Sequence, residues 1–161
     1  VDELINQGIA DSNNLFITGG SAGGIATAYA IGLTDRFRAA VVAKPVINWV
    51  SKVLTADSYI YQIPYQFPGM PWDEYEHYWK RSPLSLVGNV TTPTMLITGE
   101  DDQRTPISET EQFYQALKLR KIDSIMVRVP GSSHGIAGRP SRLNAKVDNI
   151  LAWFDRYRSI D

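Results

Sequence analysis

Residues 15–24 read Leu15-Phe16-Ile17-Thr18-Gly19-Gly20-Ser21-Ala22-Gly23-Gly24, and the passage from apolar to glycine-rich within this one stretch decides the fold. Leu15–Thr18 is an apolar run of strand length, too short for a helix. From Ala22 to Ile31 the residues are small and apolar and fit a helix. Between them, Gly19-x-Ser21-x-Gly23 has the spacing of a tight strand-to-helix turn that holds a serine exposed above a sheet. Such a turn strains the serine backbone, and the chain two residues to either side is expected to pass too close for a Cβ. The N–H of Ala22, at the helix N-terminus, is then placed to face a developing oxyanion. Other glycine loops fail on the letters: a Walker loop needs lysine where Ile25 stands, and the dinucleotide fingerprint needs glycine at position 21 or 22.

Working outward, three more apolar runs read as buried strands: Ala39–Ala43, Thr94–Thr98 and Ser124–Val129. None alternates cleanly with polar residues, which suits a sheet covered by helices on both faces. Helical patterns occupy Ile107–Leu119 and Arg142–Tyr157. In the latter, Leu143, Val147, Ile150, Leu151 and Phe154 are expected to form one core-facing stripe. Strands alternating with helices predict an α/β fold with a mostly parallel sheet and right-handed crossovers. The stretch from Pro45 to Pro83 interrupts the rhythm and holds nine of the chain's seventeen aromatic residues. It reads as an excursion of short helices and loops above the sheet, within a single domain over residues 1–161. At the other end, Val1, Leu4 and Ile5 fall at helical spacing before Gly8, which reads as a helix C-cap. A chain that opens inside a helix, on Val1, is expected to be a fragment or a processed product.

Composition narrows the chemistry. A formal net charge of −1 gives no footprint for nucleic acid or an anionic membrane. No apolar run reaches the length of a membrane span and nothing at the start resembles a signal peptide, so the expected setting is cytoplasmic. Cysteine is absent and there are only two histidines, which excludes disulfides, thiolate metal sites and histidine-rich metal sites. No metal or organic cofactor is implied.

A serine on such a turn needs a base and an acid, and the order Ser, acid, His belongs to α/β-hydrolases. His134 lies in Pro130-Gly131-Ser132-Ser133-His134-Gly135, directly after the last strand, where open α/β sheets place their chemistry. His77, within Asp73–Tyr78, reads instead as a packed or exposed residue of a short aromatic helix. The acid should follow the preceding strand, in Gly99-Glu100-Asp101-Asp102-Gln103-Arg104-Thr105-Pro106. Glu100, Asp101 and Asp102 are all candidates, because one or two carboxylates here could simply cap the following helix.

Taken together, residues 18–24, Tyr78–Pro83, Gly99–Pro106 and Pro130–Gly135 resemble the prolyl oligopeptidase family of serine peptidases, most of all its acylaminoacyl-peptidase and dipeptidyl-peptidase-like branch. The resemblance covers nearly the whole chain. It implies a partial α/β-hydrolase fold that lacks the N-terminal strands of its relatives, together with their β-propeller and the loop carrying a second oxyanion donor. By resemblance the acid is Asp102, and Arg104 binds a carbonyl of the substrate backbone; the competing reading of Arg104 is an ion pair with Glu100 or Asp101. The implied substrate is a peptide, with an acyl ester as the alternative, and an inactive fragment is the reading from outside catalysis. Without its neighbouring strands, Leu15–Thr18 becomes an exposed apolar edge, so the chain is expected to form homo-oligomers or to associate with the missing N-terminal part.

Overall fold

In the computed structural model, which describes residues 1–159, four parallel strands lie side by side in the order the chain makes them. They are β1 (Phe16–Gly20), β2 (Ala39–Ala43), β3 (Thr94–Gly99) and β4 (Ser124–Val129). β1 runs on through Gly19 and Gly20, which sit opposite Val42 and Ala43. Ladder pairing uses backbone groups alone, so the glycines extend the strand past its apolar run. A short helix α1 (Asp2–Asn6) precedes the sheet and ends as expected, with Gly8 at φ +70 and its N–H on the carbonyl of Ile5.

Helices cover both faces. On one, α2 (Ala22–Leu33) and α6 (Ile107–Leu119) bring Ala28, Ile31, Phe113 and Leu117 against Ala40, Val42 and Leu96. On the other, α7 (Pro140–Tyr157) sets Trp153 against Ala39, Val41, Met95 and Ile97. β2 and β3 are buried at every position, whereas β1 and β4 are only partly so. The expectation of four buried strands therefore holds for the central pair alone, because an edge strand has a neighbour on one side only.

The stripe expected on α7 is also corrected. Leu143, Val147 and Leu151 are exposed, and the core-facing side is Ile150, Trp153, Phe154 and Tyr157. Trp153 is the anchor, 3% exposed, with its indole N–H on the Ala40 carbonyl at 3.1 Å. Trp and Tyr bury more area than Leu and Val, and they turn the helix to their own side.

Between β2 and β3 the chain makes α3 (Trp49–Thr55), α4 (Tyr59–Gln66), α5 (Tyr75–Lys80) and a 3-10 turn over Pro83–Asn89. This excursion has its own small core of Val53, Phe67 and Tyr78, with the rings of Phe67 and Tyr78 stacked at 3.9 Å. It is tied to the main body by the buried Glu109 of α6, whose carboxylate accepts the N–H groups of Ile47 and Asn48 at 2.9 and 2.8 Å. Burial is the main influence on that carboxyl and pushes its pKa up.

Candidate active site

All the chemistry-bearing loops leave the C-terminal ends of the strands, as open parallel sheets arrange them. Ser21 follows β1 at φ 58 and ψ −118, a positive-φ conformation that costs an L-residue energy. Its N–H is held by the Ala43 carbonyl at 3.0 Å. The crowding around it differs in detail from expectation. A Cβ on Gly19 would lie 2.2 Å from the Gly23 carbonyl oxygen, and one on Gly24 would lie 2.5 Å from the Ala43 oxygen. A Cβ on Gly23 would meet nothing within 4 Å. The close approaches are thus of Gly19 to the backbone of Gly23, and of Gly24 to β2.

His134 stands between the serine and the acid. Its Nε2 is 3.0 Å from Ser21 Oγ and its Nδ1 is 2.8 Å from Asp102 Oδ2. The Asp102 side chain is fully buried, whereas His134 keeps 28% exposure on the open side. The other Asp102 oxygen accepts the N–H groups of Arg104 and Thr105, each at 2.9 Å. The Thr105 hydroxyl lies 3.0 Å from Asp102 Oδ2 and 3.3 Å from His134 Nδ1. The neighbouring carboxylates face elsewhere: Glu100 pairs with Arg128, and Asp101 is exposed. His77 is exposed on α5, edge-on to Phe67 at 6.0 Å.

Two residues given no role in the sequence reading hold this arrangement. Lys44, just past β2 at φ 41, donates from Nζ to the His134 carbonyl at 2.6 Å, so one lysine pins the histidine loop. Burial lowers its ammonium pKa, with a further push from Lys146. Gly99 is the other: a Cβ there would lie 2.1 Å from the Ser132 carbonyl oxygen, so the acid loop and the histidine loop pack backbone to backbone. Lys44 lies directly after the strand Ala39–Ala43, the one sequence signal that could have drawn attention to it.

Ala22 takes the first position of α2, where an N–H has no intrahelical carbonyl to bond. Beside it opens a cavity of about 480 Å³ lined by Ser21, Ala22, Trp49, Lys52 and Arg104, among others. Arg104 pairs with neither Glu100 nor Asp101. Its Nε and Nη2 donate to Asp57 at 2.7 and 3.4 Å, and that guanidinium holds the Asp57 carboxyl below its ordinary range. Among the described residues no cluster of three or more His, Cys, Asp or Glu side chains could hold a metal ion. No described helix is long and apolar enough to cross a membrane.

Comparison with known proteins supplies the context for this geometry. The chain matches the Prolyl oligopeptidase family over residues 1–160. It is 36% identical over 160 residues to the uncharacterized peptidase YuxL of Bacillus subtilis (strain 168), covering 98% of this chain and 24% of that one. It is 33% identical over 167 residues to an acylamino-acid-releasing enzyme of Arabidopsis thaliana, covering 98% and 22%. Among solved structures, the acylaminoacyl peptidase of Pyrococcus horikoshii superposes with a TM-score of 0.88 at 26% identity, over 99% of this chain and 27% of that one. The chain therefore spans about a quarter of the length of these relatives, and what it spans is a partial α/β-hydrolase fold. With the family matched along virtually its full length, the chain belongs to the prolyl oligopeptidase family.

Proposed function

We propose that this chain is the nucleophile-bearing part of a serine peptidase that cleaves peptides through an acyl-enzyme. The observation that carries the reading is the single imidazole within hydrogen-bond reach of both Ser21 Oγ and the buried Asp102 carboxylate. Ser21 attacks the scissile carbonyl, His134 takes its proton and returns it to the leaving amine, and water then releases the acyl group. Asp102 holds the imidazole so that Nδ1 carries hydrogen and Nε2 is free to accept. The Ala22 N–H donates to the developing oxyanion. Arg104 donates to a substrate backbone carbonyl: Asp57 occupies Nε and Nη2, which leaves the Nη1 hydrogens to the cavity. Relatives named for releasing acylated amino acids favour a short N-acylated peptide as substrate. A cytoplasmic setting belongs to the same proposal.

Labelling with a fluorophosphonate, wild type beside Ser21→Ala, tests the mechanism. Wild type alone should label. If neither protein labels, the chain does not assemble a reactive serine by itself and the inactive-fragment reading takes its place. Comparing an N-acetylated peptide anilide with an aryl acetate then separates peptidase from esterase. Turnover of the ester alone would overturn the peptide assignment.

A further inference from the structure

The cavity beside Ser21 carries more positive charge than a neutral peptide requires. Lys52, Arg81 and Arg104 line it, and no carboxylate does. Arg104 is answered by Asp57. Arg81 lies over the Phe67 ring and donates to the Gln66 carbonyl. Among the described residues, Lys52 has no carboxylate within ion-pair distance, and Asp57 and Glu109 act on it only from farther off. It is 1% exposed, and none of the ion pairs among the described residues includes it. Its Nζ donates to Ser58 Oγ at 2.7 Å and to Gln62 Oε1, both neutral. An ammonium has three donors, so one stays available.

Burying a cation among neutral partners costs several kcal/mol. Lysine on a short surface helix would ordinarily extend its head into water, yet Lys52 packs inward across Trp49, with Nζ 5.9 Å from the ring. Departures of this kind from local rules concentrate at functional sites. The location also says which part of a substrate would meet it. The cavity touches Ser21 and Ala22 but not His134, and His134 must serve the leaving group. A group lodged in the cavity therefore belongs to the acyl side, among Ile25, Val46, Trp49 and Lys52.

We infer that Lys52 is a specificity-determining residue that receives a carboxylate on the residue whose carbonyl Ser21 attacks, so that the enzyme prefers a glutamyl or aspartyl acyl group. This rests on the reading of Ser21 as nucleophile. Burial lowers the Lys52 pKa to about 8; Arg104, in the loop after β3, pushes the same way, while Asp57 after α3 and Glu109 on α6 oppose. The ammonium carries its proton below that range and loses it above. Preference for an acidic substrate is accordingly full near neutrality and fades as pH rises through about 8.

The test compares kcat/KM for N-acetyl-glutamyl and N-acetyl-glutaminyl anilides, which differ in charge but hardly in shape. A charged hydrogen bond predicts a glutamyl preference of about tenfold or more. Lys52→Met should bring the ratio to about one, and in wild type the ratio should fall above pH 8 while fluorophosphonate labelling persists. A wild-type ratio near one, or a preference that survives Lys52→Met, overturns the assignment. Affinity of the Ser21→Ala protein for N-acetyl-glutamate amide against N-acetyl-glutamine amide needs no turnover. Failure of wild type to label sinks the nucleophile reading, whereas equal affinity for the two amides sinks the role of Lys52.

Discussion

At Asp102, two backbone N–H groups and one imidazole divide the carboxylate: Oδ1 faces the amides of Arg104 and Thr105, and Oδ2 faces His134. Asp102→Asn separates structure from chemistry. The asparagine Oδ1 keeps both amide bonds, so the loop stays folded. Its NH₂ replaces Oδ2 and can only donate, so His134 must turn Nδ1 into an acceptor and place its hydrogen on Nε2, facing Ser21. Turnover is expected to fall by about 10⁴ with the melting temperature nearly unchanged. A loss below about tenfold would show that His134 does not depend on Asp102 for its tautomer. Of the candidate site, Ser21 and His134 stand out in the sequence because each sits in a glycine-bearing loop directly after a strand. Asp102 was not separable by composition from Glu100 and Asp101. Resemblance points to Asp102, but the residues' own chemistry leaves the choice open; burial and the contact with His134 separate the three, and both are tertiary properties. Lys52 was hidden for the same reason, since on a short helix it reads as solvated.

Among the elements, the joint between α2 and the sheet decides whether Ser21 is presented at all. Gly24 lets the first turn of α2 lie on the end of β2, and an alanine there would press its Cβ on the Ala43 carbonyl. The same carbonyl holds the Ser21 N–H, so relief of the clash moves Ser21. Gly24→Ala is expected to cost about 1–3 kcal/mol and to slow fluorophosphonate labelling. Gly23→Ala should leave stability within about 1 kcal/mol of wild type or raise it, since its Cβ meets nothing and alanine favours the helix. Thermal melts of the two side by side check the contrast, and equal losses would show that the joint is not where the strain lies. The elements and their parallel arrangement were readable from alternating strand and helix patterns, with central strands found almost to the residue. The rotation of α7 was not. Periodicity located an apolar row, but Trp153 stands one row away and its bond to Ala40 spans distant parts of the chain.

For the whole molecule, the unfinished edge is the sheet side that carries β1. A central strand satisfies its backbone on both sides, as β2 and β3 do, whereas β1, among the described residues, pairs only with β2 and leaves a row of N–H and C=O groups open. Charged residues blunt such edges in monomeric proteins, and Phe16–Gly20 contains none. The exposed row Leu143, Val147 and Leu151 adds apolar surface on α7, the helix whose Phe154 ring stacks on Phe16 of β1 at 4.8 Å. We propose that this edge pairs with a second copy of the chain. The natural arrangement is two-fold, with the two β1 strands antiparallel and the sheet continuous across both copies. Sedimentation velocity at micromolar concentration should then show a dimer or larger species. Thr18→Lys, whose side chain is exposed, should shift it toward monomer, as should Leu151→Lys. Any added polypeptide that supplies a neighbouring strand would compete for the same edge, and adding one should dissolve the self-associated form. A wild-type chain that stays monomeric at micromolar concentration, with melts unchanged by Thr18→Lys, would show that water satisfies the edge well enough to leave it open.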